Sequence, residues 1–338
     1  MVGLLMALFY ASDSPFEPPS ILGLLLRTPL RFAVYVTYHF LTSLRTTPAP
    51  LSAPPVRVVC VSDTHNLKQN IPDGDVLIHA GDLTNGGSLS ELQAQIDWLN
   101  SLPHQHKVAI AGNHDTYLDP RSRRTLAEEH RNGKLDWRDI HYLQHSSVTL
   151  RVPNTKAGSN GHASTHSRRL KIYGAPQIPE CGGPEHAFQY QRGRDAFTDT
   201  VPRDVDILVT HTPPKWHRDL PLRSGLGCEY LNREVRRVRP ALHVFGHVHV
   251  EAGKEVAWWD ESQKAYEKAM ARPVRGLIRG LFDVGMWFQI VLVAFWGVRN
   301  VLWDRVWCGE EKGTIMVNAG LMKGNTGRLG NKVRFVDI

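Results

Sequence analysis

The chain has 338 residues, 42% hydrophobic and 22% charged, which excludes a disordered protein and leaves room for one large domain with appendages. Its formal net charge is +7, compatible with anionic substrates or lipid, but the basic residues form no run, so nucleic acid is disfavoured as a partner. The four cysteines include no CxxC pair, which argues against a disulfide framework or a zinc–thiolate site. No Asn-x-Ser/Thr sequon occurs, in keeping with an intracellular location.

Residues 1–55 differ from the rest. "MVGLLMALFYA" is apolar but lacks the basic start of a signal peptide. "ILGLLLRTPLRFAVYVTYHFL" is apolar but broken by Arg27, Pro29 and Arg31, whereas a clean span needs about 20 apolar residues. It is read as a segment at a membrane interface, or as a helix packed on a domain surface. The Pro-rich "TTPAPLSAPP" ends it as a linker.

From Val56 short apolar runs alternate with helix-like stretches. Strands are predicted at Arg57–Ser62, Val76–Ala80, Lys107–Ala111, Val148–Val152, Leu170–Tyr173, Ile207–Thr210, Ala241–Phe245 and Thr314–Asn318. "SLSELQAQIDWLNSL" predicts a helix, with Ser88 and Glu91 as a capping box and Leu89, Leu92, Ile96 and Leu99 at helical spacing. A second helix is predicted over Glu229–Val238. "PNTKAGSNGHASTHSRR" predicts a polar loop whose His162 and His166 are bystanders.

The second unusual stretch is 271–307, within an insertion at about 254–312. "VGMWFQIVLVAFWGV" is apolar on every face except Gln289. Arg272, Arg275 and Arg279 precede it, Arg299 and Arg305 follow, and tryptophans cluster there as they do at a membrane–water boundary. "GTIMVNAG" then reads as another strand of the same domain, and a single crossing would leave that strand across the bilayer. The stretch is therefore read as an interfacial or hairpin-like membrane contact. A buried helix covering a sheet, or an oligomer contact, is the alternative. Together, 21–44 and 281–303 are the expected membrane surface.

The chemistry-bearing residues sit at strand ends. "VSDTHNL" follows the first strand with Asp63 and His65, two positions apart and so on one side of an extended chain. "HAGDLTNGG" delivers Asp82, "AGNHDTY" delivers Asn113, His114 and Asp115, "VTHTPP" delivers His211, and "FGHVHV" delivers His247 and His249. Polar residues gathered at strand ends mark sites in mixed α/β proteins. Gly81, Gly112 and Gly246 permit sharp exits and close backbone approach. Carboxylates, imidazoles and one amide suit divalent ions, Mn, Fe, Zn or Mg, with Mn favoured. A lone histidine is ordinarily structural, and His79, His141, His145 and His243 are assigned to the core, the support of the site or nothing. Cys228 starts a helix, which lowers a thiol pKa, but a packed thiol is its expected role.

The order D-x-H, G-D, G-N-H-D, H, G-H-x-H resembles the calcineurin-like metallophosphoesterases, from about Val56 to His249 and again at the last strands. "YGAP", "THTPP" and "RPALHVFGHVH" resemble the branch that hydrolyses cyclic nucleotides and small phosphodiesters. The resemblance implies a four-layer αββα sandwich of two mixed sheets over 56–338. It implies one metal on Asp63, His65, Asp82 and His249 and another on Asp82, Asn113, His211 and His247. It further implies attack on a small phosphoester by a hydroxide bridging the two metals, with His114 as general acid and Asp115 orienting it. The protein Ser/Thr phosphatases of the family carry G-D-x-x-D-R-G. Here Asn85 and Gly86 replace that second Asp and the Arg, removing a bidentate phosphate contact and favouring a diester. The apolar segments leave open a membrane-associated phosphatase, a phospholipid or lipid-pyrophosphate hydrolase, or a non-catalytic nucleotide-binding scaffold.

Overall fold

The computed structural model describes residues 17–154, 166–309 and 312–338. His162 and "MVGLLMALFYA" lie outside them. The described residues begin with two helices, α1 (Ile21–Arg27) and α2 (Pro29–Ser43). Ser20 caps α1 by accepting from Gly23 N, and Pro29 occupies the first turn of α2, where its missing N–H costs no helix bond. The apolar stretch is thus two helices rather than one, divided at Thr28.

Next come β1 (Arg57–Val61), β2 (Val76–Ala80), α3 (Leu89–Ser101), β3 (His106–Ile110), β4 (Ile140–Tyr142), β5 (Ser146–Asn154) and β6 (His166–Ala175). They are followed by the two-residue strands β7 (Ile178–Pro179) and β8 (Gln189–Tyr190), then β9 (Ile207–Thr210), α4 (Glu229–Val238), β10 (Leu242–Phe245) and β11 (Gly253–Ala257). The insertion supplies α5 (Glu261–Met270), α6 (Leu277–Leu281) and α7 (Val284–Arg305), and β12 (Thr314–Asn318) and β13 (Arg334–Asp337) close the chain. The predicted capping box forms, with Glu91 N donating to Ser88 Oγ and Ser88 N to Glu91 Oε2.

One sheet has the order β13-β1-β2-β3-β4, the other β11-β12-β10-β9-β6-β5. Strands β1 to β4 are mutually parallel and β13 pairs antiparallel with β1. In the second sheet β6, β9, β10 and β12 are parallel and β5 is antiparallel to β6. The mixed α/β class with two mixed sheets is therefore present. Alternation builds its layers. Val58, Cys60, Val76 and Ile78 share one buried cluster with Ile172, Val209, Val244 and Val317 of the other sheet. Val59, Val61, Leu77 and Ala109, one residue out of phase, pack with Leu92, Ile96 and Leu99 of α3. A period of two sends alternate residues to opposite faces, so strands covered on both faces read as continuous apolar runs.

The chain divides into two compact units. The larger holds Ala49–Arg218, Gly227–Glu255 and Ile315–Ile338. The smaller joins the described residues up to Pro48 with Asp219–Leu226 and Val256–Thr314. The N-terminal segment and the insertion, separate in sequence, thus form one helical unit. Within it Tyr38 stacks on Tyr266 with ring centroids 4.2 Å apart. A Cβ on Gly297 would lie 2.6 Å from Leu41 Cδ1, so the glycine lets α7 approach α2. Arg45 joins Asp260 at 2.6 Å and Asp304 at 2.8 Å with its side chain 2% exposed. Residues of α7 are buried along one seam only, at Met286, Val293, Gly297, Asn300 and Asp304. That excludes the helix buried on all sides. Of the described helices, α7 alone is long and apolar enough to cross a membrane.

Candidate metal centre

Every donor sits just past the C-terminal end of a parallel strand in the larger unit, β1, β2 and β3 from one sheet and β9 and β10 from the other. The chain must turn sharply there. Asp63, His65, Asp82 and His247 all take positive φ, at 54°, 45°, 53° and 69°. That conformation is costly for a non-glycine residue, and such strain concentrates at functional sites. Their backbones are held by Asp63 N to Gly81 O, Thr64 N and His65 N to Asp82 O, and Gly246 N to His211 O.

The glycines make room for carboxylates. A Cβ on Gly112 would lie 2.2 Å from Asp82 Oδ1, and one on Gly246 would lie 2.3 Å from Asp63 Oδ2. Each carboxylate accepts an amide there: His114 N donates to Asp82 Oδ1 at 2.8 Å, and His247 N to Asp63 at 3.0 and 3.1 Å.

Two groups of donor atoms result. Asp63, His65, Asp82 and His249 form one, and Asp82, His211 and His247 the other, so Asp82 belongs to both. His249 Nε2 lies 3.3 Å from Asp63 Oδ1 and 3.4 Å from His65 Nε2. His211 Nε2 lies 3.4 Å from Asp82 Oδ2 and 3.0 Å from Asn113 Oδ1. The far ring nitrogens are held by carbonyls, His249 Nδ1 by Gly324 O and His211 Nδ1 by Ala80 O, both at 2.9 Å. A carbonyl accepts only from N–H, so these contacts keep a proton on Nδ1 and turn Nε2 toward the site, where it can ligate once its own proton is lost. The donor set, its orientation and its burial fit divalent ions.

The electrostatics of these side chains favour charge separation. Burial pushes Asp63 up, but the charge and hydrogen bond of His249 more than offset it and hold the carboxyl at about 2. Burial likewise opposes ionisation of Asp82, yet His211, His114 and His65 hold it well below the usual carboxylate range. Burial lowers His211 while Asp82 and Asp63 raise it, with a net rise to about 9. His247 goes the other way, to about 3, through burial and the charge on His211.

His114 is half-buried. Its Nδ1 donates to Asn85 O at 3.0 Å and its ring stands 4.8 Å from that of His65. Asp115 is the residue expected to orient His114. Its buried carboxylate accepts from Gly112 N at 2.8 Å, Thr84 N at 3.0 Å and Thr84 Oγ1 at 2.8 Å. It braces the two loops, while Asn85 holds His114. The reason is geometric: Gly112 turns the loop so that Asp115 folds back on its own amides. Burial and the charge on Asp82 raise Asp115 to about 6.

One residue at the site was not singled out from sequence. Asn113 Nδ2 donates to His186 Nδ1 at 3.1 Å, and the His186 and His114 rings stand 5.0 Å apart. This contact turns Asn113 Oδ1 toward His211. His186 lies in an irregular segment, "GGPEHAF", with no strand end or motif to mark it. Two histidines set apart from the site are structural: His79 bonds Thr64 Oγ1 at 3.0 Å and His243 bonds Thr210 Oγ1 at 2.9 Å, both buried, whereas His141 and His145 are exposed. Cys228 caps α4 by accepting from Leu231 N, and burial pushes its thiol up rather than down.

The calcineurin-like phosphoesterase family model matches residues 56–251, more than half of the chain and every donor above. The chain belongs to the calcineurin-like phosphoesterase family. This member of the family is 38% identical over 228 residues to metallophosphoesterase domain-containing protein 1 of Homo sapiens, covering 60% of this chain and 64% of that protein. It is also 41% identical over 273 residues to a probable rhamnogalacturonate lyase C of Emericella nidulans, covering 80% of this chain but 23% of that protein. The chain thus spans less than two thirds of either relative. The structure of TT1561 of Thermus thermophilus matches with a TM-score of 0.36 at 14% identity, over 61% of this chain and 85% of that one.

Proposed function

We propose that the chain is a metal-dependent phosphodiesterase that holds two divalent ions, with manganese favoured over iron, zinc and magnesium. The observation that carries this reading is the pair of donor groups sharing Asp82. One ion takes Asp63, His65, Asp82 and His249; the other takes Asp82, Asn113, His211 and His247. Bound there, two divalent cations supply Lewis acidity toward phosphoryl oxygens and lower the pKa of water.

The chain's own residues then select and orient the substrate. Asp63 and Asp82 only partly neutralise two such ions, so the pocket stays cationic and draws in a phosphate group. His114, with Nδ1 engaged by Asn85 O, keeps Nε2 for the leaving oxygen, as general acid or phosphate donor. The residues after Asp82 favour a diester. Gly86 N is turned toward Glu91 Oε1 at 3.4 Å and a Cβ there would lie 2.9 Å from Glu91 Oε2. This turn provides no guanidinium for the second negative charge of a monoester dianion.

The test is turnover of bis-p-nitrophenyl phosphate against p-nitrophenyl phosphate by the metal-stripped chain, with and without Mn²⁺. Metal-dependent turnover preferring the diester, lost in Asp82→Ala, is the expected result. A preference for the monoester would make the chain a phosphomonoesterase. No turnover with two metals bound per chain would sink the catalytic reading.

A further inference from the structure

The helical unit is polarised in the sense opposite to a water-soluble bundle. The seam of α7 that faces α2 and α5 carries Asn300 and Asp304, held by Asp260 and Arg45. Ser262 of α5 also donates to Val293 O there. The large apolar side chains point outward instead: Phe288 is 58% exposed, Val291 61% and Phe295 60%. Ser262 meets the middle of α7, and Arg272, just past the end of α5, pairs with Asp283 at the α7 N-cap at 2.6 Å. The two helices therefore run antiparallel, with α6 at their turn.

That turn is apolar and exposed. Ile278 is 72% exposed, and Phe282 and Val284 are each 80% exposed. Soluble monomers rarely leave such contiguous apolar surface in water. Beside it lies an open cleft lined by Arg27, Arg31, Arg272, Arg275 and a single acid, Asp283. Arg31 is committed to Pro221 O and Met270 O, and Arg272 to Asp283. Arg27 and Arg275 are exposed at the rim, Arg275 with its Nε 3.8 Å from Asp283 Oδ2.

Two occupants could cover this surface: a second copy of the chain, or a bilayer. A two-fold interface would bring the arginine rim against its own copy, which is repulsive. A leaflet of anionic lipid offers acyl chains to the turn and phosphates to the rim at one depth, the pattern of proteins that lie in the interface. Connectivity rules out a single crossing by α7. The excursion leaves at β11 and returns at β12, neighbouring strands of one sheet, and α6 has only five residues.

We propose that the helical unit docks onto one leaflet of an anionic membrane, with Ile278, Phe282 and Val284 in the acyl boundary and the Arg27–Arg275 cleft on a lipid phosphate. The proposal does not depend on which phosphoester the larger unit hydrolyses.

The experiment is flotation of the full chain with phosphatidylcholine vesicles, with and without phosphatidylserine. The chain is expected to float with the anionic vesicles about tenfold more tightly than with neutral ones. Phe282→Asp combined with Ile278→Asp should abolish flotation. Arg27→Gln with Arg275→Gln should remove the preference for phosphatidylserine while some binding to both vesicles persists. All four side chains are exposed, and unchanged thermal unfolding of both variants establishes that folding is intact. A chain that stays in the aqueous fraction with both vesicles overturns the proposal. So does a stable dimer that Phe282→Asp splits, which would make the face a contact between copies. Release from anionic vesicles by inorganic phosphate at constant ionic strength would assign the cleft to a free anion and overturn the lipid assignment.

Discussion

His211 Nε2 lies 3.4 Å from Asp82 Oδ2, and neither side chain is more than 2% exposed. Without metal this is a buried ion pair, with His211 raised to about 9. A metal taking Nε2 must therefore expel a proton. Metal affinity at this position should rise by about a factor of ten per pH unit between pH 6 and 9 and level off above. Isothermal titration with Mn²⁺ across that range, in buffers of different ionisation enthalpy, measures both the slope and the proton released.

The same pair sets the stability of the metal-free chain. A histidine raised in the folded state stabilises fully below its unfolded value of about 6.5, and that contribution is lost as pH rises through about 9. Metal-free thermal midpoints should fall on the alkaline side between pH 7 and 10. Asp82→Asn should flatten that fall, because the main charge holding the proton on His211 is gone. Added metal should also suppress it.

Gly112 and Gly246 each face a carboxylate oxygen at the distance of a forbidden Cβ contact, 2.2 and 2.3 Å. Gly246→Ala displaces Asp63, a donor in one group only, whereas Gly112→Ala displaces Asp82, a donor in both. Metal content by elemental analysis should fall toward one ion per chain in the first variant and toward none in the second. Each should lose about 1–3 kcal/mol of stability from overpacking.

His186 acts on Asn113 through one hydrogen bond of 3.1 Å. Loss of such a supporting partner typically costs 10–100-fold in metal affinity. His186→Ala should weaken one of two Mn²⁺ sites by about tenfold in an EPR titration and leave the other unchanged. His186→Asn, which keeps a side-chain acceptor, should recover part of the loss. Equal weakening of both sites would refute the positioning role.

Arg45 holds Asp260 and Asp304 in the interior of the helical unit and stacks on Trp258 at 3.9 Å. Arg45→Met leaves the buried Asp304 and the half-buried Asp260 without their cation, which costs about 3–5 kcal/mol. Chemical unfolding should show that loss, and Asp260→Asn with Asp304→Asn in the Arg45→Met background should restore part of it.

The strands and the donors were legible in the sequence for the same reason. Doubly covered parallel strands demand unbroken apolar runs, so β1, β2, β9 and β10 announced themselves, and any polar residue ending such a run stood out. Asp63, Asp82, His211 and His247 were visible as interruptions of "VVCV", "VLIHA", "ILVT" and "LHVF". His186 had no such frame, because an irregular loop carries no periodicity against which one residue is conspicuous. Asp115 was visible but its direction was not: a carboxylate three residues past Gly112 reaches either outward to His114 or back to its own amides, and only the turn decides. The helical unit was decided by tertiary structure alone. Hydropathy marked 21–41 and 281–303 as apolar, but pairing segments separated by over two hundred residues depends on packing such as Leu41 against Gly297. Local sequence encodes which residues avoid water; which surfaces they leave exposed is fixed only when distant segments meet.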